Sequence, residues 1–214
     1  LKTVHEASNS EGGFEVSFSS SVGRIGADLE VASRQQRLVD LRSNAGLAHM
    51  GVKLHGAGFI LDGSEARALL SREPELAQVL KRYSSGRALA QRAKDEYVFD
   101  LFGLDEATAR QRFPAAYNHI HSYVKPERDQ NARAVYRDSW WIFGEPRRVM
   151  RPALREIPRF LVTVRTARHR VFQFLDADVI PESKLVVIAS DDAWVLAVLS
   201  ARAHTDFATK FGGW

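Results

Sequence analysis

Cysteine is absent from the 214 residues, so neither a disulfide framework nor a thiolate metal site can be built. That composition suits a reducing cytoplasm. No apolar run approaches the ~20 residues that a membrane-spanning helix needs. No Pro-Pro pair occurs, so the (N/D/S)-P-P-(Y/F) tetrapeptide of adenine-N6 methyltransferases is missing. The glycines lack the strand–turn–helix setting of a nucleotide-binding loop, and no G-x-x-x-x-G-K-S/T is present, which excludes a P-loop NTPase. The first residues, Leu1-Lys2-Thr3-Val4, include neither an initiator Met nor a signal-peptide core. The last, Phe211-Gly212-Gly213-Trp214, stop on apolar side chains. Both ends are read as cuts in a longer polypeptide.

What is present is an ordinary globular composition, 45% hydrophobic, with a formal net charge of +4. That balance hides an uneven distribution. From Lys125 to Arg170 twelve basic residues stand against five acidic ones, and eleven of the twelve are Arg. The rest of the chain is net acidic. Arg carries a planar fork of donors that matches phosphate and the guanine edge, where Lys offers a point charge. A solvated, salt-bridged helical face is the plainer explanation of such a window. The aromatic residues Tyr136, Trp140, Trp141 and Phe143 within it argue for more, although both tryptophans suit a core position.

The pattern predicts a linker or frayed end over 1–13 and one domain over 14–214. Strands are expected at 14–18, in short glycine-broken pieces over 46–61, and at 97–102, 160–164, 170–175 and 185–189. Asp62 or Ser64 can cap a helix to about residue 70, and Pro74 can open another through Leu76, Val79 and Leu80. Asp105 starts a helical stretch, interrupted near Pro114 and resumed through Tyr123. A basic helix after Pro146 is expected to carry Arg147, Arg148, Arg151 and Arg155. A last helix has Asp191 as its cap and Trp194, Val195, Val198 and Leu199 on its apolar face. The class is α/β in the α+β sense, with a largely antiparallel sheet and packed helices.

Two constellations have catalytic overtones. His119 and His121 would share a face on a strand, but the segment reads as helix, where i and i+2 diverge. Asp176 or Asp178 with Glu182 and Lys184 imitates a Mg²⁺-dependent nuclease set, yet Pro181 places the tripeptide in a turn.

The basic window also contains Val124-Lys125-Pro126-Glu127-Arg128-Asp129 and Trp140-Trp141-x-Phe143-Gly144-Glu145-Pro146-Arg147. Then come Arg159-Phe160-Leu161-Val162-Thr163, Thr166-Ala167-Arg168-His169-Arg170-Val171-Phe172, and Asp191-Asp192-Ala193. This series resembles the region downstream of the catalytic domain in MmeI-like, type IIL restriction–modification enzymes. It is also similar to the large adenine methyltransferases of BREX and DISARM phage-defence islands. The resemblance implies a target-recognition domain that reads double-stranded DNA. A methyltransferase domain of the parent chain would bind S-adenosylmethionine and methylate an adenine, with no cofactor, metal or catalytic residue in this segment. It further implies that an alternating pair, here Arg168 and Arg170, contacts one base pair, although members with an acid at the first position differ from this chain.

Arg165, Thr166 and His169 join that pair as candidates for base edges, and Thr163 and Gln173 can reach bases or backbone. Lys125, Arg128, Arg147, Arg148 and Arg151 are the candidates for phosphates. Lys125, Arg128 and Asp129 could instead form an internal ion-pair network, and Glu145 could clamp Arg147 and Arg148. Two rival functions remain: a non-catalytic scaffold or protein-interaction module of the same large enzyme, and the Mg²⁺-dependent nuclease.

Overall fold

Helix starts in this chain follow local chemistry. In the computed structural model, which describes residues 2–8, 14–20, 22, 41–167 and 170–211, Asp62 accepts from Ser64 N–H at 2.8 Å and opens α1 (Gly63–Arg72). Asp105 accepts from Thr108 N–H at 2.7 Å and opens α3 (Glu106–Arg112). These carboxylates satisfy donors that have no partner within the helix. Ser85 does the same for α2 (Gly86–Ala90). Pro114 and Pro126 occupy the first turns of α4 (Pro114–Tyr123) and α5 (Lys125–Asp129), where a missing N–H costs nothing. Short α6 (Ala134–Asp138) and α7 (Met150–Leu154) follow.

The chain forms two compact units, Ser43–Ser200 and Leu1–Arg42 with Ala201–Trp214. In the smaller, β1 (Lys2–Ser8) and β2 (Phe14–Ser20) pair antiparallel, with Lys2 opposite Ser20 and Ser8 opposite Phe14. Residues expected in a linker are therefore a strand. The same unit contains α9 (Arg202–Phe211).

The larger unit holds two four-stranded sheets. The first runs in the order β3 (Ala48–Met50), β10 (Leu185–Ile188), β7 (Arg159–Val164), β8 (Phe172–Asp176), antiparallel throughout. The second runs β4 (Ile60–Asp62), β6 (Glu96–Phe99), β5 (Leu80–Ser84), β9 (Ile180–Pro181), and only its β5–β9 pair is parallel. The architecture is α+β and mainly antiparallel, as the sequence predicts. Phe160 and Val162 of β7, Val187 of β10, and Val98 and Phe99 of β6 meet Phe59, Leu76, Ile120 and Phe143 in one core. Burying each such side chain fully stabilises by about 1.5–3 kcal/mol. Gly51 lies where a side chain would strike the main-chain carbonyls of Pro181 and Glu182. Only glycine lets β3 run so close to the turn before β10.

Several elements differ from expectation for identifiable reasons. Pro74–Gln78 is a 3₁₀ turn, and Leu80 then begins β5; the helical spacing of Leu76, Val79 and Leu80 had two structures beneath it. The helix after Pro146 starts only at Met150, because Arg147 has φ 58°. Strand β8 starts at Phe172, which leaves Arg170 in the connection before it. Asp192, in place of Asp191, accepts from Trp194 N–H at 2.7 Å ahead of α8 (Ala193–Ser200). Thr163 faces into the sheet's packing at 3% exposure and is closed to any ligand.

Candidate nucleic-acid interface

Strand register brings scattered cations to one end of the first sheet. Val164, the last residue of β7, lies opposite Leu185, the first of β10. Thr163 lies opposite Phe172, the first of β8. On the far side of β10, Gly51 N–H donates to Leu185 O at 3.1 Å. The end of β7, the starts of β8 and β10, and the end of β3 therefore form one rim.

Arg165 and Thr166 stand exposed on this rim. Arg165 N–H donates to Lys184 O at 2.8 Å, which ties the β7–β8 connection to the turn before β10. Arg170 is half-buried, and its Nη1 donates to Val164 O at 3.1 Å and Arg165 O at 3.4 Å. One guanidinium thus braces the connection that carries Arg165. Arg168 and His169 lie outside the described residues.

The phosphate candidates divide sharply. Arg147 donates from Nε to Gly51 O at 2.8 Å and pairs through Nη2 with Glu145 at 2.7 Å. It reaches the rim at Gly51 with part of its fork occupied. Arg148 is exposed, sits 5.4 Å from the Phe102 ring centroid, and has no hydrogen bond or ion pair among the described residues. With His49 and Val149 these two arginines line a shallow pocket of about 330 Å³. Arg151 makes a two-pronged pair with Asp100, at 2.6 and 3.1 Å, and donates to Pro146 O. Its role is to hold α7 against the end of β6. Lys125 is paired with Asp129 at 2.7 Å.

Arg128 requires correction. It is 1% exposed, with its guanidinium donating to Leu54 O, Tyr136 O and Ile142 O at 2.8–3.3 Å. A phosphate has no route to it. Burial pulls its guanidinium below the usual value, though Arg stays charged at any physiological pH. Trp140 is buried, and Trp141 donates to Leu104 O at 3.0 Å, so both serve the core.

Two carboxylates of the nuclease set are otherwise employed. Glu182 Oε2 accepts from Gly86 N–H at 3.0 Å, and Asp176 pairs with Arg82 at 3.1 Å. His119 hydrogen-bonds Gly58 O from within α4. Among the described residues no group of three or more His, Asp or Glu side chains could hold a metal ion.

Glu145 links the Arg147 turn to the strand-like 51–55 segment. Lys53 and Glu145 exchange main-chain hydrogen bonds at 3.0 and 3.1 Å. The carboxylate also lies 3.8 Å from Lys53 Nζ and 3.7 Å from His55 Nε2. His55 has φ 51°, and its ring stacks on Tyr136 at 4.6 Å. Burial, then the charges of Lys53 and Arg128, lower its pKa below the ordinary 6.5 against the opposing pull of Glu145. As pH falls through 6.5 the unfolded chain takes up this proton first, so folding weakens below that pH and is unaffected above it. Melting temperature should decline as pH falls from neutral through 6.5, and His55→Asn should flatten that decline. An equal decline in the variant would remove His55 as the cause.

Two cations on the rim, Lys184 and Arg87, were not anticipated. Lys184 was hidden inside the nuclease-like tripeptide, and Arg87 sits in a short helix outside the basic 125–170 window. The register of β7 with β10 places Lys184, and the packing of α2 against β7 places Arg87.

The fold is similar to that of one segment of a restriction–modification enzyme. The solved structure is the Type IIL restriction–modification enzyme MmeI in complex with DNA, matched with a TM-score of 0.68 at 16% identity. The match covers 99% of this chain and 28% of the MmeI chain. No protein-family model and no curated protein matches the sequence. No helix among the described residues is long and apolar enough to cross a membrane.

Proposed function

We propose that this chain is the target-recognition domain of a bacterial adenine-N6 DNA methyltransferase of the restriction–modification or phage-defence kind, acting in the cytoplasm. The observation that carries the reading is the cationic rim. Arg165, Thr166, Arg170, Arg147 and Arg148 come from two chain segments and converge at one sheet end. The fold's likeness to a DNA-bound enzyme over nearly the whole chain supports the same conclusion. In this reading Arg165, Thr166, Arg168, His169 and Arg170 face base edges, while Arg148 and the free part of Arg147 hold phosphates. Chemistry resides elsewhere, in a methyltransferase domain that binds S-adenosylmethionine. The BREX and DISARM systems remain within this proposal on the sequence resemblance alone.

A protein-interaction module is the second reading. Trp194 and Val198, one turn apart on α8, are 72% and 48% exposed and could meet another domain. Duplex binding followed across a salt series separates the two. The recognition domain predicts log K falling linearly with log salt, with about 0.9 in slope per phosphate engaged. A chain that shows no salt-dependent duplex binding is not a DNA reader.

A further inference from the structure

Lys184 and Arg87 are nearly a hundred positions apart, yet the fold seats them on the same edge. Helix α2 packs against β7. Gly86 N–H donates to Glu182 Oε2 at 3.0 Å, and a side chain at Gly86 would meet Lys184 Cβ at 3.2 Å. Arg87 is the next residue along, exposed on α2. On its other side Lys184 is joined to Arg165 through the 2.8 Å main-chain bond. Arg87, Lys184 and Arg165, from three separate segments, therefore lie together on one stretch of the rim.

Neither cation is needed to hold the fold. The Lys184 side chain is 76% exposed, and its ammonium stands 3.9 Å from Glu182 Oε1. A pair so long and so wet contributes about 0–1 kcal/mol. The second oxygen of Glu182 is already taken by Gly86. Arg87 makes no side-chain hydrogen bond or ion pair among the described residues. Two adjacent cations without structural employment, beside a connection that carries base-reading candidates, form a surface suited to a row of phosphates. Such contacts fix the register of a protein on a duplex and so permit base contacts to form.

We infer that Lys184 and Arg87 bind the backbone phosphates bordering the groove entered by the β7–β8 connection. This rests on the reading of the chain as a DNA-recognition domain. It adds a phosphate contact between Arg165 and the Gly51 end of the rim, where Arg147 is held, so that the reading connection borders a continuous row of backbone contacts.

The test is duplex binding by the whole 214-residue chain as a function of salt, for Lys184→Gln, Arg87→Gln and the double variant. Probes are a mixed-sequence duplex and the duplex the unaltered chain prefers. Arg110→Gln, exposed on α3, is the control for loss of one positive charge. Each rim variant should lower the salt slope by about one and weaken both duplexes alike, and the double variant should lower it by about two. The control should leave the slope unchanged, and melting temperatures should match throughout. Unchanged slopes in the rim variants, with specific binding intact in the parent, would overturn the inference and leave the DNA reading standing. An equal loss in Arg110→Gln would overturn it too, by showing a diffuse charge effect. Absence of duplex binding by the parent would overturn both.

Discussion

Arg128→Ala is expected to destabilise the chain by about 3–5 kcal/mol, the sum of buried acceptors left unpaired and a large side chain removed from the core. The guanidinium sits between Leu54, Tyr136 and Ile142 and satisfies a carbonyl on each. It also lies 5.8 Å from the Phe59 ring centroid and 5.3 Å from that of Tyr136. Removing it leaves buried acceptors unpaired, at roughly 1–3 kcal/mol apiece, and opens a cavity. Leu54 O keeps a second donor, Gly144 N–H at 3.1 Å, so the loss falls mainly on the other two. Lysine should rescue little, since one ammonium cannot span three carbonyls. Denaturant midpoints measure this directly. A variant of near-normal stability would mean that Arg128 is free to leave the core.

The second large effect concerns discrimination. Arg165→Ala should relax selectivity at one base pair by about 1–3 kcal/mol, or roughly five- to 150-fold. Arg148→Ala should weaken all duplexes together and lower the salt slope by about one. The contrast follows from their positions. Arg165 projects from a connection held at both ends, by its own N–H on Lys184 and by Arg170 on its carbonyl. Such bracing gives a side chain a defined approach to a base edge. Arg148 borders an open pocket beside Val149, and a phosphate accepts a guanidinium from many directions. Uniform weakening in both variants would assign Arg165 to phosphate as well.

Much of the fold was legible where the signal is local. Asp62, Asp105 and Pro114 mark helix starts through chemistry confined to one turn, and the apolar runs of β7 and β10 mark central strands. Legibility failed where a distant partner decides. The Arg147 fork is held by Gly51 O, 96 positions away, and that contact accompanies the positive φ that delays α7. Arg128 looks like a surface cation in its window, yet its acceptors include Leu54 O, 74 positions away. For the site, the concentration of arginines was visible but their division between structure and surface was not. Arg151 and Lys125 meet carboxylates and Arg148 does not. Lys184 joins the rim only through the pairing of β7 with β10, which no periodicity encodes.

The central claim is that the rim reads DNA sequence. Selection of bound duplexes from a randomised pool at moderate salt, followed by sequencing, tests it most directly. The account predicts a short enriched motif that changes at one position when Arg165, Arg168 or Arg170 is replaced by alanine. Retention of duplexes without enrichment, lost on raising salt, would contradict it and leave a basic surface that holds DNA but does not read it.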